Sequence, residues 1–181
     1  MGNLAGRPTN GLGLKGGAVK CATWNLIELY LRDTPIAPDE KLEAVEVGLE
    51  ADLTGHGLPT LVGVIYLVRA GGRIVDFKTS ARKPDTELLP HTTETQTTSY
   101  GLLYREATGG KEAGIEIHHL IKTKHPKIVV NELGPVTEAQ ISRLFRIIEA
   151  YLKGVAREDF VPSPGIQCAA CEFFNECRAW R

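Results

Sequence analysis

The chain is poor in cysteine, methionine and aromatic residues: 181 residues contain four Cys, one Met and 7% aromatics. So few cysteines cannot staple a chain of this length, and packing must hold it together. No apolar run reaches the roughly 18 residues of a membrane span, and the N-terminus lacks the apolar block of a signal peptide, so a cytoplasmic protein with no membrane partner is expected. Neither sign of charge dominates, with 21 Lys and Arg against 22 Asp and Glu and a net charge of −1. No global field draws the chain to nucleic acid or anionic lipid, so any polyanion site must be a local patch. Hydrophobic residues at 43% and charged residues at 24% are those of a globular domain and exclude a disordered or coiled-coil chain.

Residues 1–17 hold six of the 19 glycines and form an irregular lead-in. From Ala18 to Arg32, Val19, Thr23, Leu26, Ile27, Tyr30 and Leu31 recur at helical spacing, and Asp33, Pro35 and Pro38 end the helix. Leu42 to Leu53 alternates, with Val45, Val47, Leu49, Ala51 and Leu53 on one side and Glu46, Gly48, Glu50 and Asp52 on the other, the pattern of a half-buried strand with an acidic face. Leu61–Arg69 and Arg73–Thr79 flank Ala70, Gly71 and Gly72 as an antiparallel hairpin. If Arg69 pairs with Arg73, Tyr66 lies across from Asp76, and Lys78 shares that face.

Glu94 to Thr108 reads as a helix with Gln96, Tyr100, Leu103, Tyr104 and Ala107 on one side, followed by strands over 115–122 and 127–133. Thr137 and Gln140 fit a capping box opening a last long helix that Gly154 should end. These elements predict an α/β fold with a central mixed sheet flanked by helices. The core spans 18–160, and a cysteine segment over 161–181 packs on it.

Chemistry concentrates in Ile74-Val75-Asp76-Phe77-Lys78, where an apolar strand ends with an acid and a lysine on one face. A carboxylate that holds a divalent cation beside an ammonium group is what phosphodiester hydrolysis needs, although Asp-x-Lys alone also describes an ordinary ion pair. Gln96 and Tyr100 sit one helical turn apart and share a face. Cys168, Cys171 and Cys177 crowd the C-terminus, a spacing suited to an iron-sulfur cluster or zinc. His118 and His119, adjacent on a strand, should point to opposite faces, one to core and one to solvent. Lys122, Lys124 and Lys127, with Arg143 and Arg146, make basic patches that a solvated surface explains as well as a phosphate track does.

In order and spacing, the Asp76-x-Lys78, Gln96-x-x-x-Tyr100 and Cys168-x-x-Cys171…Cys177 motifs resemble the RecB-like branch of the PD-(D/E)xK nuclease superfamily. That branch includes exonuclease domains of recombination helicase-nucleases, CRISPR-associated nucleases and phage exonucleases. The resemblance implies a restriction-endonuclease-like core acting on DNA with Mg²⁺ or Mn²⁺, and a helicase or a recombination or phage replication partner. Asp76 and the main-chain carbonyl of Phe77 would be metal ligands and Lys78 the catalytic lysine, with Gln96 and Tyr100 as active-site support. The family's cysteine tail binds a 4Fe-4S cluster with a fourth cysteine upstream. Here the remaining cysteine is Cys21, inside the first helix, and zinc with a histidine such as His91 or His125, or free thiols, are the alternatives.

Two departures bear on activity. Tyr66 stands where the family has its second-motif aspartate, and Lys20 where it has a metal-binding histidine. A neutral phenol is a poor Mg²⁺ ligand and a charged ammonium cannot coordinate. Glu46, Glu50 or Asp52 on the neighbouring strand is a candidate replacement, against the simpler reading of a solvated acidic face. The expectation is an impaired deoxyribonuclease, or else an inactive nuclease-fold module for DNA binding or assembly.

Overall fold

A computed structural model describes residues 16–159, 163 and 165–179, the side chains of 16–22, 166 and 167 excepted. Five strands form one sheet in chain order: β1 (Ala44–Ala51), β2 (Leu61–Arg69), β3 (Arg73–Ser80), β4 (Gly114–Ile121) and β5 (Lys127–Leu133). Neighbours are antiparallel except β3 and β4, which run parallel and are joined by a crossover through α2 (Leu89–Thr92) and α3 (Glu94–Thr108). The helix α1 (Gly16–Asp33) lies against β4 and β5, α3 covers β1 and β2, and α4 (Glu138–Ala156) packs on α3. The short α5 (Phe174–Ala179) lies in the cysteine tail. Among the described residues, no helix is long and apolar enough to cross a membrane.

The α/β architecture with a mixed sheet is the one read from the sequence, and most boundaries agree within two residues. Glycine allows the hairpin turn, where Gly71 and Gly72 take φ of 78° and 75° and donate their N–H groups to the Glu43 carboxylate at 2.8 and 3.1 Å. At Gly63 of β2, a Cβ would come within 2.7 Å of Leu103 Cδ1, so the missing side chain is what lets α3 lie this close to the sheet. Thr137 and Gln140 form the expected capping box of α4. Gly154 does not end that helix, which continues to Ala156. The left-handed residue beyond it is Glu158, with φ of 59°.

The alternation expected for β1 fails at one end. Val45 is 63% exposed, whereas Ala44 and Val47 both pack against the core. The break sits at Glu46, whose φ of 48° is left-handed, and the facing strand slips too, since Ile65 and Val68 both enter the core. Register is kept across the kink, with Val47 opposite Ile65 and Val45 opposite Leu67. A local change of pleat thus reversed the side-chain directions that strict alternation assigns.

On the face opposite α3, a charged network anchors α1. Arg69 binds Glu116 through one nitrogen at 2.9 and 3.0 Å and Glu40 through two others at 2.7 and 2.8 Å. His118 lies 2.9 Å from Glu116 through Nε2 and 2.8 Å from the Tyr30 hydroxyl through Nδ1. These partners suit the neutral tautomer that donates from Nε2 to the carboxylate and accepts from tyrosine. Burial is the main cause holding the His118 imidazole below its ordinary pKa, against the raising effect of Glu116.

The unfolded chain therefore binds a proton at this position more readily than the folded one. Stability should be full above about pH 6.5, the ordinary histidine value, and fall as pH drops from there towards the lower native pKa, by at most about 1.4 kcal/mol per pH unit for each such histidine. Urea midpoints measured across this range should show the decline, and His118→Gln should make it shallower.

Candidate active site

Residue 76 is where the sheet's centre meets α3. Ile74, Asp76 and Lys78 alternate onto the α3 side of β3, and Asp76 is only 2% exposed. Phe77, between them, turns to the other side and meets Tyr30 and His118 edge-on, each with ring centres 5.5 Å away. That packing fixes the strand's rotation and hence the aim of the two polar side chains.

Gln96 and Tyr100 come down from α3 to close a ring of polar contacts. Lys78 Nζ donates to Gln96 Oε1 at 2.6 Å, and Gln96 Nε2 donates to the Tyr100 oxygen at 2.7 Å. The Tyr100 hydroxyl donates to Asp76 Oδ1 at 3.3 Å, with Gln96 Nε2 at 3.5 Å from the same oxygen. Lys78 Nζ completes the circuit 3.0 Å from Asp76 Oδ2, an ion pair whose angles are not those of a hydrogen bond, so Oδ2 accepts none. The four residues picked from the sequence as catalytic are thus brought together. Burial, followed by the charge of Asp76, pushes the Tyr100 phenol up to about 12, so it remains a hydrogen-bond donor at neutral pH.

Tyr66 is 48% exposed and stands at the kink. The β2–β3 ladder has the expected register, Arg69 opposite Arg73, but ends at Leu67 and Val75, one pair short of Tyr66 and Asp76. Tyr66 is still close enough for its ionised form to oppose ionisation of Tyr100. Glu46 is exposed on the edge strand at the same kink. Among the described residues no three His, Cys, Asp or Glu side chains converge as a cation site, with Glu46, Glu50 or Asp52 or without them. The side chains of Lys20 and Cys21 lie outside the described residues.

In the tail, Cys168, Cys171 and Cys177 are free thiols that do not converge. Phe173 and Phe174 are exposed rather than closed over them, and Trp180 lies outside the described residues. Lys122, Lys124 and Lys127 are exposed in and beside the β4–β5 connection, and Arg143 is committed to Glu94 at 2.6 Å.

Sequence reading missed one residue. His119, expected with its neighbour to divide between core and solvent, is instead buried like His118, because β4 is covered on both faces. It stands beside Lys78 in the parallel ladder, and the charges of Asp76 and Lys78 both act on its ring. The adjacent histidines were a signal, but only the pairing of β4 with β3 shows where the second one lies.

For stability, the ring of contacts makes Tyr100→Phe informative. It deletes a donor to a buried carboxylate, a loss of about 1–3 kcal/mol, which should lower the urea midpoint without changing the slope. Ultraviolet titration should lose the tyrosine that ionises near pH 12.

A family model described as the PD-(D/E)XK nuclease superfamily matches residues 19–178. No curated protein matches the chain. Among solved structures, a candidate exonuclease from Eubacterium rectale has a TM-score of 0.61 at 17% identity, covering 88% of this chain and 60% of that one. The likeness is one of fold, and the chain spans about 60% of that protein's length. The structure of SSO0001, at 17% identity over 92% of this chain and 71% of its own, has a TM-score of 0.49, too loose to add to the first. The family match runs from α1 into the cysteine tail, and on that extent the chain belongs to the PD-(D/E)XK nuclease superfamily.

Proposed function

We propose that the chain is a RecB-like deoxyribonuclease domain that hydrolyses phosphodiester bonds with Mg²⁺ or Mn²⁺, and that its Mg²⁺-supported activity is impaired by Tyr66 and Lys20. One observation carries the reading. A carboxylate 98% out of solvent is held by lysine, glutamine and tyrosine while one of its oxygens accepts no hydrogen bond. That oxygen is engaged by the Lys78 ion pair alone, so it can accept a cation once the ammonium gives way.

The donor chemistry fits a single divalent ion held weakly. Asp76 supplies the one acidic ligand and the main-chain carbonyl of Phe77 a second oxygen, and Mg²⁺ relies on carboxylates together with substrate phosphate. Such an ion supplies Lewis-acid polarisation of the scissile phosphoryl group. The remaining roles fall to the chain's own side chains. Lys78 lies at the same carboxylate, where its ammonium can offset negative charge that develops on the phosphate. Gln96 fixes Lys78 through its carbonyl and Tyr100 through its amide, so neither polar group has to reorient when substrate arrives. A DNA substrate must be drawn by local cations, since the net charge of −1 offers no general attraction.

Incubated with linear DNA and Mg²⁺, the purified chain should cut slowly. Tyr66→Asp combined with Lys20→His should raise the rate by at least about tenfold, equal to ~1.4 kcal/mol of transition-state stabilisation. Robust Mg²⁺-dependent cutting by the unaltered chain, abolished by Asp76→Ala, would overturn the impairment. If the double variant and the unaltered chain are both inert yet retain DNA, the domain serves binding or assembly.

A further inference from the structure

The two histidines of β4 have opposite fates. Both ring nitrogens of His118 are bonded, whereas both of His119 are buried without a partner, in a side chain only 5% exposed. Leaving a polar atom unpaired in the interior costs about 1–3 kcal/mol, so the arrangement calls for a reason.

Its position supplies one. In the parallel ladder Asp76 pairs with Ile117 and Lys78 with His119, and residues two apart on a strand share a face, so His119 shares the α3-side face of Asp76. Asp76 Oδ2 is likewise buried and without a hydrogen bond. On β5, Asn131 pairs with Ile117, which puts it on this face too, diagonal to His119, and its Oδ1 is also buried and unpartnered. Three neighbouring strands thus turn to one side of the sheet a carboxylate oxygen held by the Lys78 ion pair alone, an imidazole and an amide oxygen, none of them hydrogen-bonded. A cation that displaced the Lys78 ammonium from Oδ2 and took a nitrogen of His119 would satisfy the imidazole, while Asn131 Oδ1 makes no hydrogen bond to that ring as the residues stand.

We infer that His119 is a nitrogen ligand for the divalent cation at Asp76, taking over from donors that Tyr66 and Lys20 do not provide, and that it moves the site's preference from Mg²⁺ towards transition-metal ions such as Mn²⁺. The inference rests on the nuclease reading. Mg²⁺ is hard, keeps oxygen ligands and resists losing water, whereas imidazole suits first-row metals such as Fe, Ni and Zn, with Mn²⁺ at the weak end of that series. A neutral ligand also adds no charge beside Asp76.

Calorimetric titration of the DNA-free chain with MnCl₂ and with MgCl₂ tests this, using the unaltered protein, His119→Gln, His119→Leu and Asp76→Asn. Manganese is the ion of choice because it has little affinity for the tail's thiols. The unaltered chain should bind Mn²⁺ more tightly than Mg²⁺. Both His119 variants should weaken Mn²⁺ binding by about tenfold or more, with little effect on Mg²⁺, and Asp76→Asn should weaken both. Imidazole nitrogen spectra of the unaltered chain give a readout that does not depend on a variant folding, because Mn²⁺ should broaden the His119 signals before those of His56, His91 and His125. Unchanged Mn²⁺ affinity in well-folded His119 variants, with binding lost in Asp76→Asn, overturns the role of His119 and leaves the metal-dependent reading standing. No early broadening of His119 at a metal load that fills the site also overturns that role. Metal binding that is absent, or indifferent to Asp76→Asn, removes both.

Discussion

The candidate site depends on holding one carboxylate where water hardly reaches it. Withdrawing a carboxylate from solvent costs several kcal/mol unless charge and hydrogen bonds replace what water supplied. For Asp76 those replacements come from two directions, Lys78 two residues along β3 and the Gln96–Tyr100 pair from the crossover helix. The second set exists only if α3 lies close and in register. Gly63 permits the approach, because any side chain there would strike Leu103. Gly101, next to Tyr100, does the same against Val136, where an added Cβ would come within 2.6 Å of a methyl group. Small residues outside the polar ring thus set the distances within it.

The two faces of the sheet have divided the work. On the α1 side, Glu116 accepts from Arg69 and His118, and Tyr30 reaches His118, so each of these four groups has a partner. On the α3 side, His119 and Asn131 keep buried atoms unpaired, and Asp76 Oδ2 has the Lys78 ion pair but no hydrogen bond. A fully satisfied buried network gives rigidity, whereas a partly satisfied one carries a standing cost that a ligand can relieve. The contrast runs through one strand, since neighbouring residues of β4 serve opposite roles. The anchored side also holds α1, the helix that carries Lys20, because Tyr30 ties its other end to His118.

Local chemistry made most of the fold legible. The apolar runs of β2 and β3 around two glycines could be little but a hairpin, and the Thr137–Gln140 box announced α4 at its first residue. Asp76, Lys78, Gln96 and Tyr100 were readable because strand and helix periodicities put each pair on one face. What stayed hidden depended on partners distant in sequence. The kink at Glu46 left Val45 exposed, and alternation along a single strand gives no warning of a change in pleat shared with its neighbour. His119 could not be assigned without knowing that β4 pairs in parallel with β3 and is covered on both sides. Arg69 likewise showed nothing of its role as a clamp on Glu40 and Glu116, which lie 29 and 47 residues away.

Tyr66 changes the charge balance of the pocket as well as its ligand count. With an acid at position 66, a second carboxylate would stand near the site from its exposed side, and without a cation the two would repel each other. With tyrosine there, the metal-free pocket holds one carboxylate and one ammonium, 3.0 Å apart and close to neutral together. That state is self-sufficient, so a divalent ion entering it must compete with Lys78 for Asp76 and leaves an excess of positive charge. A neutral imidazole can strengthen the ion's hold without correcting that excess. The phosphates of DNA can correct it, because each brings a negative charge and an oxygen ligand. On the nuclease reading proposed for this chain, metal and nucleic acid would therefore bind together, each making the other's site more favourable, whereas an acid at position 66 would let the ion bind first.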